Sequence, residues 1–348
     1  MSSKIKYIPG QAIWETTLRC NLKCLHCGSS AGEPRSDELT TKEGLNLIKQ
    51  LAEINTKEAC MMGGEPFLRK DWYDLGKEIS DNNILLHFIT NGYLVDEKVV
   101  SMLEKLEPRS LTFSLDGARA KTHDYIRGVE GSFDRVMRGI SLAQKANIPV
   151  TLITTVSILN IKELPELRDF ILNKQIAWQI QIAMPEGRFS ENYALSKEEY
   201  YSVALFIASM KKKYSSKEMP VIGAHCIGYF SKHFPELGLY PHWYGCQAGI
   251  GAIGIKSNGD IIGCLAIQED KYIEGNVRNR SLVDIWNDPK SFSYTRNFKI
   301  DDLGENCKGC KYGAVCKGGC TTRSDSITGM PHNDHYCYYN IENNLEIK

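Results

Sequence analysis

Short apolar runs and longer amphipathic stretches alternate along the first two thirds of the chain. Between the runs, apolar residues recur at spacings of three and four, as from Phe133 to Ala143, which places them on one face of a helix. The runs that suit single strands are 12–18, 59–62, 84–90, 111–115, 150–156 and 176–183. Strands that alternate with helices form a parallel sheet covered by helices, so the pattern predicts about six β/α units. Six units are fewer than the eight that close a barrel, and we therefore expect an α/β fold with a partial (β/α)6 barrel of the TIM type.

Three of the predicted helices have a recognisable start. Each has a small polar residue followed three positions later by glutamate, the form of a capping box. The pairs are Thr40 and Glu43, Asn160 and Glu163, and Ser196 and Glu199. We predict a helix directly after the first residue of each pair.

Four unusual loops follow the first four predicted strands. They are 20–27, 63–66, 90–92 and 114–117. Asn-Gly and Asp-Gly are common turns, so each of the last two loops has an ordinary explanation when taken alone. The carboxyl ends of parallel strands meet at one edge of the sheet, where such folds carry their chemistry. The shared position of the four loops therefore predicts a functional site at this rim.

The first of these loops holds three cysteines within eight residues, Cys20, Cys24 and Cys27. Spacings of three and two intervening residues allow all three thiols to turn towards one small object. A structural zinc site normally closes with four protein ligands. A four-iron cluster held by three thiolates instead leaves one iron open to a substrate or cofactor.

Composition narrows the functional classes. The chain has 348 residues, 42 Lys+Arg and 42 Asp+Glu, so its formal net charge is zero. This balance argues against a nucleic-acid partner, which usually requires a basic surface. Neither a signal peptide nor a run of transmembrane length is present, so we expect a cytoplasmic protein without a membrane partner. Ten of the twelve cysteines lie in clusters, which in a reducing compartment indicates metal binding rather than disulfides. Cys60, in an apolar run, is expected in the core.

A second group of cysteines occupies the last third of the chain. Its members are Cys246, Cys264, Cys307, Cys310, Cys316, Cys320 and Cys337. A zinc ribbon at Cys307-x2-Cys310 would leave the neighbouring cysteines unexplained. The group therefore favours more than one metal centre.

The first cysteine loop, Gly-Gly-Glu-Pro at 63–66 and Ser-x-Asp-Gly at 114–117 together resemble the radical S-adenosylmethionine (SAM) superfamily over about 10–215. The resemblance implies that the three cysteines hold a [4Fe-4S] cluster whose open iron binds SAM. Gly64 and Glu65 would accept from the SAM ammonium group, Ser114 would bond its carboxylate or ribose, and Arg127 would clamp its carboxylate. The full set of implied SAM-binding residues is Gly63, Gly64, Glu65, Pro66, Ser114, Asp116, Arg127 and Arg188.

The same resemblance implies the reaction. A reduced cluster cleaves SAM to methionine and a 5′-deoxyadenosyl radical, which removes hydrogen from a substrate carbon, while the protein orients the groups and excludes water. The implied electron donor is a flavodoxin or ferredoxin. His26 either covers the cluster or packs without a chemical role. Arg188 binds a substrate or SAM carboxylate, or else forms a salt-bridged turn.

The cysteines of the last third resemble the SPASM extension of this superfamily, over about 240–340. The resemblance implies two auxiliary [4Fe-4S] clusters, three clusters in all. One would be held by Cys307, Cys310, Cys316 and Cys337, and the other by Cys246, Cys264 and Cys320. We accordingly predict a barrel domain at 1–215, a linker at 216–240 and a SPASM domain at 241–348.

The second auxiliary cluster lacks a fourth cysteine, because 247–259 contains none. Its remaining iron is open, or it takes a non-cysteine or distant ligand. Cys226 is a candidate ligand, a buried cysteine without a role, or a thiol that donates hydrogen to a substrate radical.

SPASM relatives mostly modify peptides, and some modify porphyrin precursors. Only 19 residues precede Cys20, so we expect no fused leader-binding domain, and a separate leader-binding protein remains an option. Leu265 stands where sulfatase-maturing relatives place an acidic base, which argues against formylglycine formation. The leading hypothesis is an enzyme that crosslinks, epimerises or oxidises a ribosomally made peptide. The alternatives are an enzyme acting on a small molecule or porphyrin, a non-catalytic iron–sulfur electron carrier, and a structural zinc protein.

Overall fold

The computed structural model describes residues 7–224, 227–234, 237 and 243–344, and its strands form one sheet. The strands are β1 Gln11–Thr17, β2 Glu58–Gly63, β3 Leu85–Thr90, β4 Ser110–Ser114, β5 Val150–Val156, β6 Ala177–Ile182, β7 Val221–Gly223, β8 Ala252–Ile255, β9 Asp260–Ile262 and β10 Gly275–Asn276. Their order is β10-β9-β8-β1-β2-β3-β4-β5-β6-β7. The six predicted strands are β1 to β6, all parallel, and the partial barrel is confirmed.

The sheet continues across the predicted domain boundaries. β7 lies within the predicted linker and pairs with β6 in parallel. On the other edge, β8 pairs in parallel with β1, and the β8–β9–β10 segment then folds back in antiparallel fashion. The cysteine-rich part is therefore joined to the barrel by a strand ladder, while the three boundaries themselves stay a prediction.

Helices cover the sheet. They are α1 Thr41–Glu53, α2 Trp72–Asp81, α3 Glu97–Leu106, α4 Ala120–Arg127, α5 Ser132–Lys145, α6 Leu164–Ile171, α7 Lys197–Lys213, α8 Leu282–Asn287, α9 Ser293–Arg296, α10 Gly313–Cys316, α11 Thr321–Thr328 and α12 Tyr338–Asn344. The capping boxes at Thr40 and Ser196 are confirmed at the starts of α1 and α7. Among the residues described, every helix is too short or too polar to cross a bilayer.

The third predicted capping box is wrong. Asn160 precedes a short 3-10 turn and makes no side-chain cap. Its amide instead donates to the carbonyl oxygens of Thr155 and Asp116, at 2.9 and 2.8 Å. Buried backbone carbonyls require a partner, and here they take the amide that the sequence pattern assigned to the helix.

One hydrophobic core runs through both parts of the chain. Trp14, Phe88 and Trp178 from the barrel strands share it with Trp286 of α8. All four are essentially inaccessible to solvent, and each such side chain stabilises the fold by about 1.5–3 kcal/mol. Cys60 is buried here as expected. The shared core holds the cysteine-rich part against the barrel.

Candidate active site

The four loops predicted at the rim do meet. The Glu65 backbone N–H donates to the Arg19 carbonyl at 2.8 Å, which ties the loop after β2 to the cysteine loop. The Glu65 carboxylate accepts from the Thr90 hydroxyl and from the Asn91 N–H, both at 2.8 Å, which adds the loop after β3. Asp116, after β4, reaches His26 of the cysteine loop at 2.7 Å. The carboxyl ends of β1 to β4 thus form one site.

Each thiol of the cysteine loop accepts a hydrogen bond. Leu22 N–H donates to Cys20 at 3.5 Å and Ala31 N–H to Cys27 at 3.3 Å. Arg127 Nη1 donates to Cys24 at 3.6 Å. Donors of this kind favour thiolates, the form that binds metal.

Burial opposes that ionisation. It raises the pKa of Cys20 to about 11 and also raises the pKa of Cys24. A buried thiolate trio therefore needs a bound cation, because a metal ion reverses the effect of burial on a coordinating thiol. Three thiols on one loop, each with a hydrogen-bond donor on its sulfur, fit the set that would hold an iron–sulfur cluster.

Two glycines let the loop after β2 approach the cysteine loop. A Cβ on Gly64 would lie 2.2 Å from the Arg19 carbonyl oxygen, and one on Gly63, whose φ is 146°, would lie 2.2 Å from that of Thr17. A side chain at either position would push the two loops apart. Pro66 then begins a short helical turn that the Glu65 side chain caps.

Glu65 is fully buried, and burial raises the pKa of its carboxyl to about 7. Its carboxylate already serves three donors, from Thr90, Asn91 and Phe67. The side chain therefore holds the rim together. Its contact with the SAM ammonium group stays a prediction, as does the bond from Ser114, which lies half-buried at the end of β4, to the SAM carboxylate or ribose.

Arg127 is held by a buried carboxylate. Its Nη2 lies 2.6 Å from Asp116 Oδ2, and Asp116 Oδ1 accepts from the Thr155 N–H at 2.9 Å. Burial alone would raise the pKa of Asp116, but Arg127 and His26 hold it well below its ordinary value. Arg127 Nε is buried without a hydrogen-bond partner among the described residues, so one donor of the guanidinium remains for a ligand. Asp116 itself has no exposed surface and holds Arg127 in position, and its place among the SAM-binding residues stays a prediction.

Arg188 braces the cysteine loop. Its guanidinium donates to the carbonyl oxygens of Cys24 at 3.0 Å and Ala31 at 2.7 Å, and its backbone N–H donates to that of Cys27 at 3.1 Å. In the part of the chain that the structure describes, these partners are backbone carbonyls and not the carboxylate of a salt-bridged turn, while the contact of Arg188 with a SAM or substrate carboxylate stays a prediction. The sequence also missed Asn91, whose amide donates to the Cys20 thiol at 3.8 Å. The position of Asn91 in the loop after β3, at the predicted rim, was the sequence feature that could have identified it.

The predicted quartet of cysteines in the last third comes together. Cys307, Cys310, Cys316 and Cys337 line one small pocket with Tyr229, Phe230, Tyr312 and Asp334. Burial, with a smaller contribution from the Asp334 carboxylate, raises the pKa of Cys307 to about 11 and that of Cys337 to about 12. Like the first loop, this pocket needs a cation before its thiols ionise.

The other auxiliary set is arranged around Tyr294 and Tyr229. Burial, and after it the proximity of Cys246 and Cys264, raises the pKa of the Tyr294 hydroxyl. Cys320 precedes α11, and its N–H donates to the Tyr229 hydroxyl at 2.6 Å. Cys226 lies outside the described residues.

A buried ion pair stands behind the quartet. Arg323 of α11 donates through Nε to Asp334 at 3.0 Å, and its Nη1 lies 2.5 Å from the Tyr200 hydroxyl of α7. Arg323 and Asp334 are both almost fully buried. The pair links the cysteine-rich part to the barrel.

A cavity of about 300 Å³ lies where β6 ends. It opens between the barrel and α11, beside the turn that leads to Arg188. Its lining residues are Ile182, Ala183, Met184, Pro185, Glu191, Ala194, Leu195, Tyr200, Arg323, Ile327, His335 and Tyr336. Its size and mostly apolar walls are those of a small-ligand site.

Comparison with known proteins agrees with this geometry. Residues 14–171 match the radical SAM superfamily, and 246–311 match SPASM, an iron–sulfur cluster-binding domain. The chain is 30% identical to the AdoMet-dependent heme synthase of Methanosarcina barkeri, over 95% of this chain and 97% of that protein. It belongs to the SPASM-type radical SAM enzymes. The cofactors of this family are SAM and iron–sulfur clusters, and membership of an enzyme family sets aside the electron-carrier and zinc-protein alternatives.

Other relatives span two kinds of substrate. The Fe-coproporphyrin III synthase of Methanosarcina barkeri is 30% identical over 95% of this chain and 88% of that protein. The mycofactocin maturase MftC of Mycobacterium tuberculosis is 28% identical over 91% and 79%. Streptococcus suis SuiB bound to SAM superposes with a TM-score of 0.75 at 19% identity, covering 95% of this chain and 77% of SuiB. This last likeness shows the shared fold.

Proposed function

We propose that this enzyme modifies a ribosomally synthesised peptide by removing hydrogen from one of its carbons, with crosslinking, epimerisation or oxidation as the outcome. Bound SAM and a reduced [4Fe-4S] cluster supply a 5′-deoxyadenosyl radical for this step. The protein holds three such clusters, at the cysteine loop and at the two auxiliary sets.

The chain's own residues orient the cofactor. Cys20, Cys24 and Cys27 hold the first cluster, and the uncommitted Nε of Arg127 is the donor available to the SAM carboxylate. Asp116 keeps that guanidinium in place. The Gly64 backbone, held against the cysteine loop, brings the Gly-Gly-Glu-Pro segment within reach of the same cofactor.

The lining of the cavity at the end of β6 is the observation that favours a peptide as the substrate. Its walls are mainly aliphatic and aromatic; the one arginine among its described lining residues, Arg323, is paired with buried Asp334, and Glu191 adds a carboxylate. Burial lowers the pKa of His335, so this side chain is neutral near pH 7. A lining without an uncommitted cation suits an amino-acid side chain better than the several carboxylates of a porphyrin precursor.

A porphyrin-type substrate is the second candidate. It is favoured by the 30% identity to the heme synthase and the Fe-coproporphyrin III synthase, along nearly the whole length of the first of them. On this alternative, the carboxylates would contact groups outside the cavity at β6.

We place the enzyme in the cytoplasm, where a flavodoxin or ferredoxin supplies the electron. Clusters held by this many cysteines persist best in a reducing compartment. A separate leader-binding protein presents the peptide.

The test is substrate-dependent deuterium transfer. Anaerobically reconstituted protein should contain roughly twelve irons, the number in three four-iron clusters, and release 5′-deoxyadenosine from SAM under strong reductant. A peptide encoded beside this gene, deuterated at its side chains, should pass deuterium into 5′-deoxyadenosine, whereas iron-coproporphyrin III should not stimulate release. The reverse result assigns the porphyrin substrate, and absence of 5′-deoxyadenosine with intact clusters refutes both candidates.

A further inference from the structure

The auxiliary cluster proposed for Cys246, Cys264 and Cys320 has three sulfur ligands, and a tyrosine oxygen lies beside the chain segments of two of them, Cys246 and Cys264. Tyr294 is in α9, and its hydroxyl is buried without a hydrogen-bond partner among the described residues. A buried hydroxyl in this state costs about 1–3 kcal/mol. Such groups are rare in native proteins and require an explanation, of which an ion is one.

The hydroxyl lies where two of the cysteine segments meet. A Cβ built on Gly263, which directly precedes Cys264, would fall 2.2 Å from Tyr294 Oη. The same Cβ would fall 2.9 Å from Ala248, two residues after Cys246. Only glycine at 263 lets the phenol oxygen come so close to the Cys264 backbone.

The tyrosine is also anchored to all three cysteine segments. The hydroxyl of neighbouring Thr295 donates to the Ala248 carbonyl at 2.7 Å. His332 bridges the Tyr294 carbonyl and the Lys317 carbonyl, at 2.6 Å each, and Lys317 lies in the loop that leads to Cys320. The position of the ring is therefore set by the same segments that place the thiols.

The geometry points to the Tyr294 oxygen as the fourth ligand of the Cys246–Cys264–Cys320 cluster. The inference rests on the proposed cluster count. Tyrosinate is an established ligand of protein-bound iron, as in catalase haem. One Fe–O bond forms, the phenol O–H bond breaks, and the proton leaves to solvent without any change of oxidation state. A cluster closed in this way has no iron open to substrate, which leaves substrate binding to the barrel side of the molecule.

Resonance Raman spectroscopy of the full-length, anaerobically reconstituted protein tests the ligand. Excitation of the cluster absorption should enhance tyrosinate ring vibrations that shift when the protein is made with ring-deuterated tyrosine. Y294F should lose these vibrations completely. Y272F is the matched control, because the Tyr272 ring packs edge-on against Tyr294 at 4.8 Å and its removal should leave the vibrations unchanged.

A wild-type protein with roughly twelve irons and active SAM cleavage, but without tyrosinate vibrations, overturns the ligand and leaves the proposed function standing. Vibrations that persist in Y294F also overturn it. If Y294F does not fold, the isotope shift in wild-type protein is by itself the test of whether a tyrosinate binds the cluster. If wild-type protein lacks the iron of this cluster, both the ligand and the cluster count fail.

Discussion

The cysteine loop at the barrel rim and the cysteine quartet of the last third are each backed by a buried arginine–aspartate pair, and the two pairs face opposite ways. At the rim, Arg127 lies against the thiols and donates to Cys24, with Asp116 behind it. At the quartet, Asp334 lines the thiol pocket, and after burial its carboxylate also raises the pKa of Cys307 and Cys337, while Arg323 pairs with that carboxylate.

The orientation of each pair determines whether a cation or an anion lies next to the cluster. A hydrogen bond from a cation to a ligand sulfur stabilises the more negative, reduced cluster, whereas a carboxylate beside the ligands opposes reduction. We therefore expect the rim cluster to be reduced more readily than it would be without the hydrogen bond from Arg127. The quartet is the site that a nearby anion makes harder to reduce.

The largest expected effect is on SAM cleavage, which should depend on the cysteine loop at the rim and not on the quartet. C24A should abolish release of 5′-deoxyadenosine, because it removes a ligand of the cluster that binds SAM. C316A, in the quartet, should retain it. Each variant should lose roughly four irons. The readouts are 5′-deoxyadenosine by chromatography and iron content, and equal loss of release in both variants would contradict the division of roles.

The next effect tests the buried pairs by stability. R323M leaves Asp334 buried without its cation and should lower the free energy of unfolding by about 3–5 kcal/mol. R127M should cost less, because Asp116 keeps His26 as a partner at 2.7 Å. Denaturant unfolding under anaerobic conditions measures both.

R119M is the control for these variants. Arg119 pairs with Glu166 on the surface, and the exposed pair should contribute less than about 1 kcal/mol. A cost for R323M no larger than that of R119M would show that the buried pair does not stabilise the fold.

A third effect is a pH dependence of folding stability that arises at the rim, from Glu65. Burial raises the pKa of Glu65 from 4.5 to about 7, so the folded protein holds this proton more tightly than the unfolded chain. Its contribution is fully present below pH 4.5, and stability should fall as pH rises towards 7, by up to about 3 kcal/mol. E65Q should remove this slope from unfolding curves of SAM-free protein. An unchanged slope in E65Q would assign the pH dependence to another group.

The smallest effect concerns one donor. N91A removes the amide that contacts the Cys20 thiol, and a single hydrogen bond of this kind contributes about 0.5–1.5 kcal/mol. We expect a more negative midpoint potential for the rim cluster, followed by electron paramagnetic resonance, and no change in the quartet. A change in both clusters would indicate a general disturbance of the fold.

Much of this site was predictable because its signals are local. The spacing of Cys20, Cys24 and Cys27, and the position of each rim loop after a strand, depend only on residues near one another in the chain. The grouping of Cys307, Cys310, Cys316 and Cys337 came from resemblance, and the structure brings the same four to one pocket. Asn160 shows the limit of local signals, since its capping pattern was outweighed by carbonyls that the fold brings beside it.

The sequence by itself determined the alternation of strands and helices, the loops at the rim and the cysteine groups, because periodicity and spacing act over a few residues. The tertiary structure alone decided which residues contact and support the cysteine segments. Arg188 reaches the Cys24 carbonyl across 164 positions of the chain, and Tyr200 meets Arg323 across 123. It also joined β8 to β1 and set Tyr294 between two cysteine segments. Partners so distant in sequence are chosen by the packing of the whole sheet and its helices, which no local pattern encodes.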